Sequence, residues 1–162
     1  MTARFTRAGT PSDAVKIAAI YNQGIEDRVA TFETEPRTTE QILKWFAEGY
    51  PVLVSGEYEE IYAYAVAFPY RSRPWYEGVR EFSVYAARDS RGMGFGKMAV
   101  SALIDEAKAR GWWKLLSRIF PQNTSSRKLC ASLGFREVGI YEKHGRLDGK
   151  WMDTIIVEKS LI

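Results

Sequence analysis

Val84-Tyr85-Ala86-Ala87-Arg88-Asp89-Ser90-Arg91-Gly92-Met93-Gly94-Phe95-Gly96-Lys97 is the stretch on which the fold turns. An alternating run over 80–86 reads as a strand and stops at polar turn residues. Glycine then takes every second position from Gly92 to Gly96, and a helical pattern follows. Strand, glycine loop and helix start together form a phosphate-binding design. Glycines let the backbone approach an anion, and the free N–H groups and positive end of the helix face it. A P-loop would need glycine where Arg91 stands and Ser or Thr at Met98, so that reading fails. A dinucleotide fingerprint would need a third glycine at Lys97 and fails as well. A glycine-rich turn alone also suits an ordinary tight connection.

The rest of the chain supplies context. Residues 3–8 alternate as an edge strand, and Thr10-Pro11-Ser12-Asp13 predicts a helix start with Ser12 or Asp13 as cap. Val15, Ile17, Ala18, Ile20, Tyr21 and Ile25 recur at helical spacing, and 27–36 reads as a loop. Thr38 or Thr39 opens a second helix that turns Ile42, Leu43, Trp45 and Phe46 to the core and ends at Gly49. Strands over 52–55 and 61–68 form a hairpin with 56–59 as its turn. A basic, aromatic loop over 69–75 leads to a strand over 78–87. The third helix runs over 94–110, with Met98, Ala102, Leu103 and Ala107 on one face and Gly111 beyond its end. A strand over 113–120, a helix opened by Asn123 and closed by Gly134, and an antiparallel pair over 135–141 and 150–161 complete the chain. The order β-α-α-β-β-β-α-β-α-β-β predicts an α/β domain with a mixed sheet, spanning 1–162 as a single unit.

With 162 residues, 46% hydrophobic and 27% charged, the chain suits a soluble globular domain. No apolar run approaches the ~18 residues of a membrane span. The stretch 1–5 lacks the apolar run of a signal peptide. Cys130 is the one cysteine, which excludes an internal disulfide and makes the cytoplasm the expected home. One His beside one Cys argues against a zinc cluster, and no metal is expected. The net charge of +3 is scattered without a basic run. Nucleic-acid binding is therefore not expected, whereas a few fixed cations suit a polyanionic cofactor.

Arg91-x-x-Gly94-x-Gly96 resembles the acyl-CoA pyrophosphate loop of the GNAT N-acetyltransferase superfamily. Asn123-Thr124-Ser125-Ser126-Arg127-Lys128-Leu129-Cys130-Ala131-Ser132-Leu133-Gly134-Phe135 resembles its second signature, a capped helix ending in Leu-Gly-Phe. The element order is also that of the GNAT fold. More narrowly, Arg71-Ser72-Arg73-Pro74-Trp75, Glu81-Phe82-Ser83-Val84-Tyr85-Ala86 and 143–153 are similar to the phosphinothricin acetyltransferase group. That group acetylates the α-amine of phosphinothricin, methionine sulfone or sulfoximine, and in some members arsinothricin. The resemblance implies acetyl-CoA as donor and a homodimer. Two departures stand out: Phe82 where many members carry His, and Cys130 where Tyr or His is usual.

The resemblance implies a role for each site residue. Glu81 is the general base, because an α-ammonium cannot attack a thioester until it loses a proton, and a carboxylate in reach supplies ~10²–10⁴ in rate. The other reading of Glu81 is a solvated strand charge or a partner for Arg80 or Arg88. Val84, Tyr85 and Ala86 present main-chain groups to the pantetheine arm, and the backbone around Tyr85 supplies an N–H to the thioester oxygen. Arg91, Gly92, Met93, Gly94, Phe95, Gly96 and Lys97 hold the pyrophosphate, chiefly by backbone N–H groups, with Phe95 itself packed inward. Asn123 serves as cap and cofactor contact, with Ser126 a turn later. Arg71 and Arg73, with Trp75 and Tyr76 following, are the candidates to read the acceptor's acidic groups by guanidinium pairing; the resemblance points to Arg73-Pro74-Trp75 in particular, and the other reading is a solvated loop. Phe32 and Glu33, in the aperiodic loop before Pro36, are the candidates for one wall of the acceptor pocket. Cys130 is open to two readings, a thiol that protonates the leaving thiolate or a small buried hydrophobe, and the second is favoured. His144 either lines a dimer-side pocket or is solvated, and Trp151 and Asp153 anchor the last hairpin. The function so implied is acetyl transfer to the α-amine of a small acidic amino acid or analogue. The rivals are a polyamine or protein N-terminus as acceptor, and an acyl-CoA-binding regulatory domain without turnover.

Overall fold

The computed structural model describes residues 3–162. The hydrophobic alternations become seven strands and the longer periods four α-helices: β1 (Arg4–Ala8), α1 (Ala14–Asp27), α2 (Thr39–Ala47), β2 (Val52–Glu57), β3 (Glu60–Pro69), β4 (Val79–Ala86), α3 (Phe95–Ala109), β5 (Lys114–Ile119), α4 (Thr124–Ser132), β6 (Arg136–Leu147) and β7 (Lys150–Ser160). This is the predicted mixed-sheet α/β order and the GNAT arrangement. The sheet runs β1-β2-β3-β4-β5-β7-β6. Every neighbour pair is antiparallel except β4 and β5, which the α3 crossover makes parallel.

Each sheet face has its own core. On one, Phe82, Leu115, Ile119 and Ile155 pack under Val100, Leu103 and Cys130 of α3 and α4. On the other, Val54, Tyr64 and Val66 pack under Ile17, Ile20, Ile42 and Trp45 of α1 and α2. Alternation along β4 thus sends Phe82 and Val84 to the first face and Tyr85, with Glu81 and Ser83, to the second. At the β2 bulge a side chain on Gly56 would sit 1.8 Å from the Glu60 carbonyl oxygen, so only glycine closes that corner.

Several local expectations need correction. The Asp13 carboxylate turns back to Arg7, at 2.8 and 3.0 Å, and to the Thr10 N–H at 2.8 Å, so neither Ser12 nor Asp13 caps α1 by its side chain. Val15 and Leu43 face solvent, since the apolar stripes of these short helices are narrower than their apolar content. The buried stripe of α3 is Phe95, Ala99, Val100, Leu103 and Ala107, which leaves Met98 and Ala102 half-buried at its margin. β6 runs on past Tyr141 through His144, because a register shift and an N–H of Lys143 donated to Asp153 at 2.7 Å carry it over an irregularity.

The Arg7 guanidinium holds the Asp13 carboxyl below its usual range. A group depressed in this way stabilises the fold above the unfolded carboxylate pKa near ~3.9, and that contribution is lost as pH falls through the lower folded value. Asp13→Asn should therefore cost ~1 kcal/mol in urea unfolding at pH 7, with parent and variant converging under strongly acidic conditions.

Candidate functional site

The site begins where two strands part. β4 and β5 pair at only three positions, Val79 with Lys114, Arg80 with Leu115 and Glu81 with Leu116. Beyond them β4 stays with β3 to Ala86 and β5 stays with β7 to Ile119, so a fork opens between. At its foot the Ser117 hydroxyl donates to the Phe82 carbonyl at 2.8 Å in place of a ladder bond. The Phe82 carbonyl therefore points at β5, and the Ala87 N–H points the other way, to the Tyr62 carbonyl at 2.7 Å. Between them, alternation turns the N–H and C=O of Val84 and Ala86 into the fork and those of Tyr85 toward β3. The cleft is lined by 82–85 and 117–120, by Asn123, Ser126 and Cys130 below, and by Ala30 above.

The glycine loop closes the open end. Gly92 and Gly94 have φ of 79° and 91°, a region costly for any residue with a Cβ. Arg4 ties the loop down: its Nη1 donates to the Met93 carbonyl at 2.7 Å while its guanidinium lies 4.4 Å from the Phe95 ring centroid. Phe95 is buried as expected, and the Ser55 hydroxyl donates to its carbonyl at 2.6 Å. The Met98 N–H meets the Gly94 carbonyl, but those of Gly94, Phe95, Gly96 and Lys97 have no protein acceptor among the described residues. By contrast, the Thr38 hydroxyl caps α2 and the Asn123 carboxamide oxygen caps α4, accepting from the Ser126 N–H at 3.2 Å. Four free N–H groups at a helix's positive end make an anion seat. The Arg91 guanidinium is held by Asp27 at 2.7 Å, and Arg88 pairs with Asp27 and Glu26, each at 2.9 Å. These arginines hold the Asp27 carboxyl below its usual range. They fasten the loop to α1 and leave anion binding to the backbone.

Glu81 is the last paired residue before the fork, half-buried on the α1/α2 face. Neither proposed partner reaches it. Arg88 is committed to α1, and Arg80 turns to the opposite face with its guanidinium 4.2 Å from the Trp112 ring centroid. Among the described residues no cation lies within ion-pair distance of Glu81. The Tyr85 ring packs 4.9 Å from Tyr21 and 5.7 Å from Tyr64, and burial drives its phenol well above the ordinary range. Phe32 leans edge-on against Phe120 at 4.9 Å and reaches Gly145 of β6, so it walls the mouth of the cleft. Arg28 ties the same loop to Asp148 at 2.8 Å, while Glu33 is taken up by Arg37 at 3.0 Å.

Other expected residues lie elsewhere. Arg71, Arg73, Pro74 and Tyr76 line a separate cavity of about 330 Å³ with Arg80 at the starting end of β4. Trp75 is largely exposed beneath the Arg73 guanidinium. Their loop leaves β3 at Pro69, opposite Arg80, where the strands still pair. Cys130 touches the cleft floor but is 2% exposed, and burial pushes its thiol up to about 12, which suits the buried-hydrophobe reading. His144 stacks 4.7 Å from Tyr141 on exposed β6. Ser117, Arg118 and Phe120 were missed by sequence reasoning. The signal available was period two along β5, which needs the register with β4 before it says which face each residue takes.

Comparisons with known proteins agree with this geometry. The Acetyltransferase (GNAT) family matches residues 17–135. Phosphinothricin N-acetyltransferase of Streptomyces coelicolor is 33% identical, covering 96% of this chain and 95% of its own. The L-methionine sulfoximine/L-methionine sulfone acetyltransferase of Pseudomonas aeruginosa is 31% identical, covering 99% of this chain and 96% of its own. The solved structure of yncA from Salmonella typhimurium with its cofactor acetyl-CoA superposes with a TM-score of 0.94 at 31% identity, covering 99% of this chain and 95% of that one.

A buried thiol with a raised pKa has little thiolate to offer. Native protein at pH 8 should therefore resist iodoacetamide at Cys130, with alkylation measured by mass spectrometry becoming rapid only in denaturant.

Proposed function

The chain belongs to the GNAT acetyltransferase family and is an acetyl-CoA-dependent N-acetyltransferase, and from that premise we propose that it acetylates the α-amine of a small acidic amino acid or analogue, of the phosphinothricin or methionine sulfone type, with Glu81 as general base. The carrying observation is the position of Glu81, at the foot of the fork and free of any cationic partner among the described residues.

Acetyl-CoA supplies the thioester carbonyl. The free N–H groups of 94–97, with the backbone of 91–93, seat its pyrophosphate, and the Val84 and Ala86 main-chain groups continue the ladder along its amide-bearing arm. The Val84 N–H, rather than that of Tyr85, is then the donor placed to meet negative charge on the thioester oxygen. Asn123 and Ser126 shape the floor of this channel. Glu81 accepts a proton from the acceptor's ammonium and frees the lone pair. The C–N bond forms as the C–S bond breaks. Of the two protons the ammonium loses, one ends on the thiol of CoA and one leaves to solvent. Direct transfer in a ternary complex asks for no covalent enzyme intermediate, and the buried Cys130 is not placed to form one.

Phe32 walls the acceptor side. Arg71 and Arg73, with Pro74 and Trp75 in the neighbouring cavity, have no acidic partner among the described residues and add positive field for an acidic acceptor. A polyamine would find arginines where it needs carboxylates. Residues 1–162 act as one catalytic domain, with the cytoplasm as its setting, where Cys130 stays reduced. The edge strand β6 leaves Val138, Ile140 and Tyr141 exposed, and a second copy covering them makes the homodimer.

Glu81→Gln should lower kcat by ~10²–10⁴ while the calorimetric affinity for acetyl-CoA stays near the parent value; a variant with parental kcat would remove Glu81 from the mechanism. Ile140→Lys should shift the light-scattering mass from two chains toward one.

A further inference from the structure

One cation lining the cleft has no ion-pair partner among the described residues. Along β5, Leu115 and Ile119 enter the core beneath α3 and α4, so alternation turns Leu116 and Arg118 to the α1/α2 face. Glu81 stands opposite Leu116 in the parallel register and shares that face. Arg118 is therefore the next β5 residue on the side of Glu81, ~6.6 Å further along and, because the strands part there, more than one strand spacing, ~4.8 Å, across. There the cleft is lined by Arg118 together with Ala30, Ser83 and Tyr85. Arg118 is exposed, and among the described residues no carboxylate lies within ion-pair distance of it.

The surrounding arginines are committed. Arg88 and Arg91 hold Asp27, Arg28 holds Asp148, Arg37 holds Glu33 and Arg127 holds Glu137. Nor does the coenzyme answer Arg118. The phosphates belong at the glycine loop, at the far end of the fork, and the arm that would pass Arg118 is a neutral chain of amides. An unpaired guanidinium beside the base therefore calls for an anion on the other substrate.

We propose that Arg118 binds an oxyanion of the acceptor, holding it in bidentate fashion while Glu81 takes the proton from the same molecule's ammonium; this rests on the acidic-amino-acid reading given above. A small zwitterion laid across the fork presents its ammonium to β4 and its acid group to β5. The two contacts together orient the nitrogen toward the thioester. A planar five-donor fork suits carboxylate and phosphinate alike, and fixing the nucleophile's orientation is worth large factors in rate. Arg118 is thus a specificity-determining residue, distinct from Arg71 and Arg73 in the separate cavity.

The test compares three acceptors on the parent, R118Q and R118K: methionine sulfone, which carries the α-carboxylate alone, its α-carboxamide, which carries no acid, and phosphinothricin, which carries two. For the parent, methionine sulfone should outperform its amide in kcat/KM. R118Q should lose about tenfold to hundredfold on the acid, mostly through KM, and lose the preference over the amide. Its melting curve and acetyl-CoA affinity should match the parent's, and R118K should restore part of the loss. Loss of preference confined to phosphinothricin over methionine sulfone would place the distal phosphinate, not the α-carboxylate, on Arg118 and equally support an oxyanion site. Parental discrimination among all three by R118Q would overturn the assignment while leaving the proposed reaction intact. Failure of the parent to acetylate any of them, with acetyl-CoA still bound, would instead overturn the acceptor class and Arg118's role with it.

Discussion

Everything at this site follows from the separation of β4 from β5. The α3 crossover makes the two strands parallel neighbours, but each has an antiparallel commitment on its other side: β4 to β3 through Ala86, β5 to β7 through Ile119. These longer ladders outweigh three parallel pairs, so the short one gives way. Phe82 and Ile119 fill the space beneath the opening, with Phe135 packed 5.2 Å from Phe82. The Val84 and Ala86 backbone groups left facing the gap would each cost ~1–3 kcal/mol if buried without partners. They therefore open onto the cleft, where an amide-bearing ligand would restore the ladder. On the binding mode proposed above, a strand edge that could not pair within the sheet becomes the template for the coenzyme arm.

Charge follows the same division between backbone and side chains. Around the glycine loop, Arg4, Arg88 and Arg91 are all spent on protein acceptors. They set the loop's shape and fasten it to β1 and α1, and the uncapped N–H groups of α3 make the anion seat. Fixed dipoles need no reorganisation when the ligand arrives, whereas long flexible side chains lose rotamer freedom on binding. Further along the fork the balance reverses. Glu81 and Arg118 have no ion-pair partner among the described residues, and they share one face.

Much of this was legible in the sequence because the signals were local. Alternating glycines, the Asn123 cap and the Leu-Gly-Phe ending lie within one element each, and with the element order they predicted the fold. The inward packing of Phe95 was expected as well, and the side chain is buried. Pairings between distant elements were not. That Arg91 belongs to Asp27, Arg28 to Asp148 and Arg80 to Trp112 depends on which surfaces meet after folding. The same limit hid Arg118: its place beside Glu81 requires the strand register. The reach of β6 through His144 escaped notice because its residues are polar and exposed.

The two departures from the family pattern bear on where protons travel. Phe82 stands where many members carry His, and its side chain lies in the α3/α4 core, on the opposite sheet face from Glu81. It cannot relay a proton. Cys130 stands at the usual position of the general acid, but with its thiol pushed up to about 12 by burial it is a far weaker acid than the CoA thiol it would have to serve. Neither residue, both in the α3/α4 core, offers acid–base chemistry. The base proposed above, Glu81, lies on the other face, the α1/α2 face, to which Ser83 and Arg118 of the cleft lining also turn. On the reading proposed above, the proton released to Glu81 on that face is the one available to the leaving thiolate, and the α4 side contributes a buried thiol at Cys130 rather than an acid.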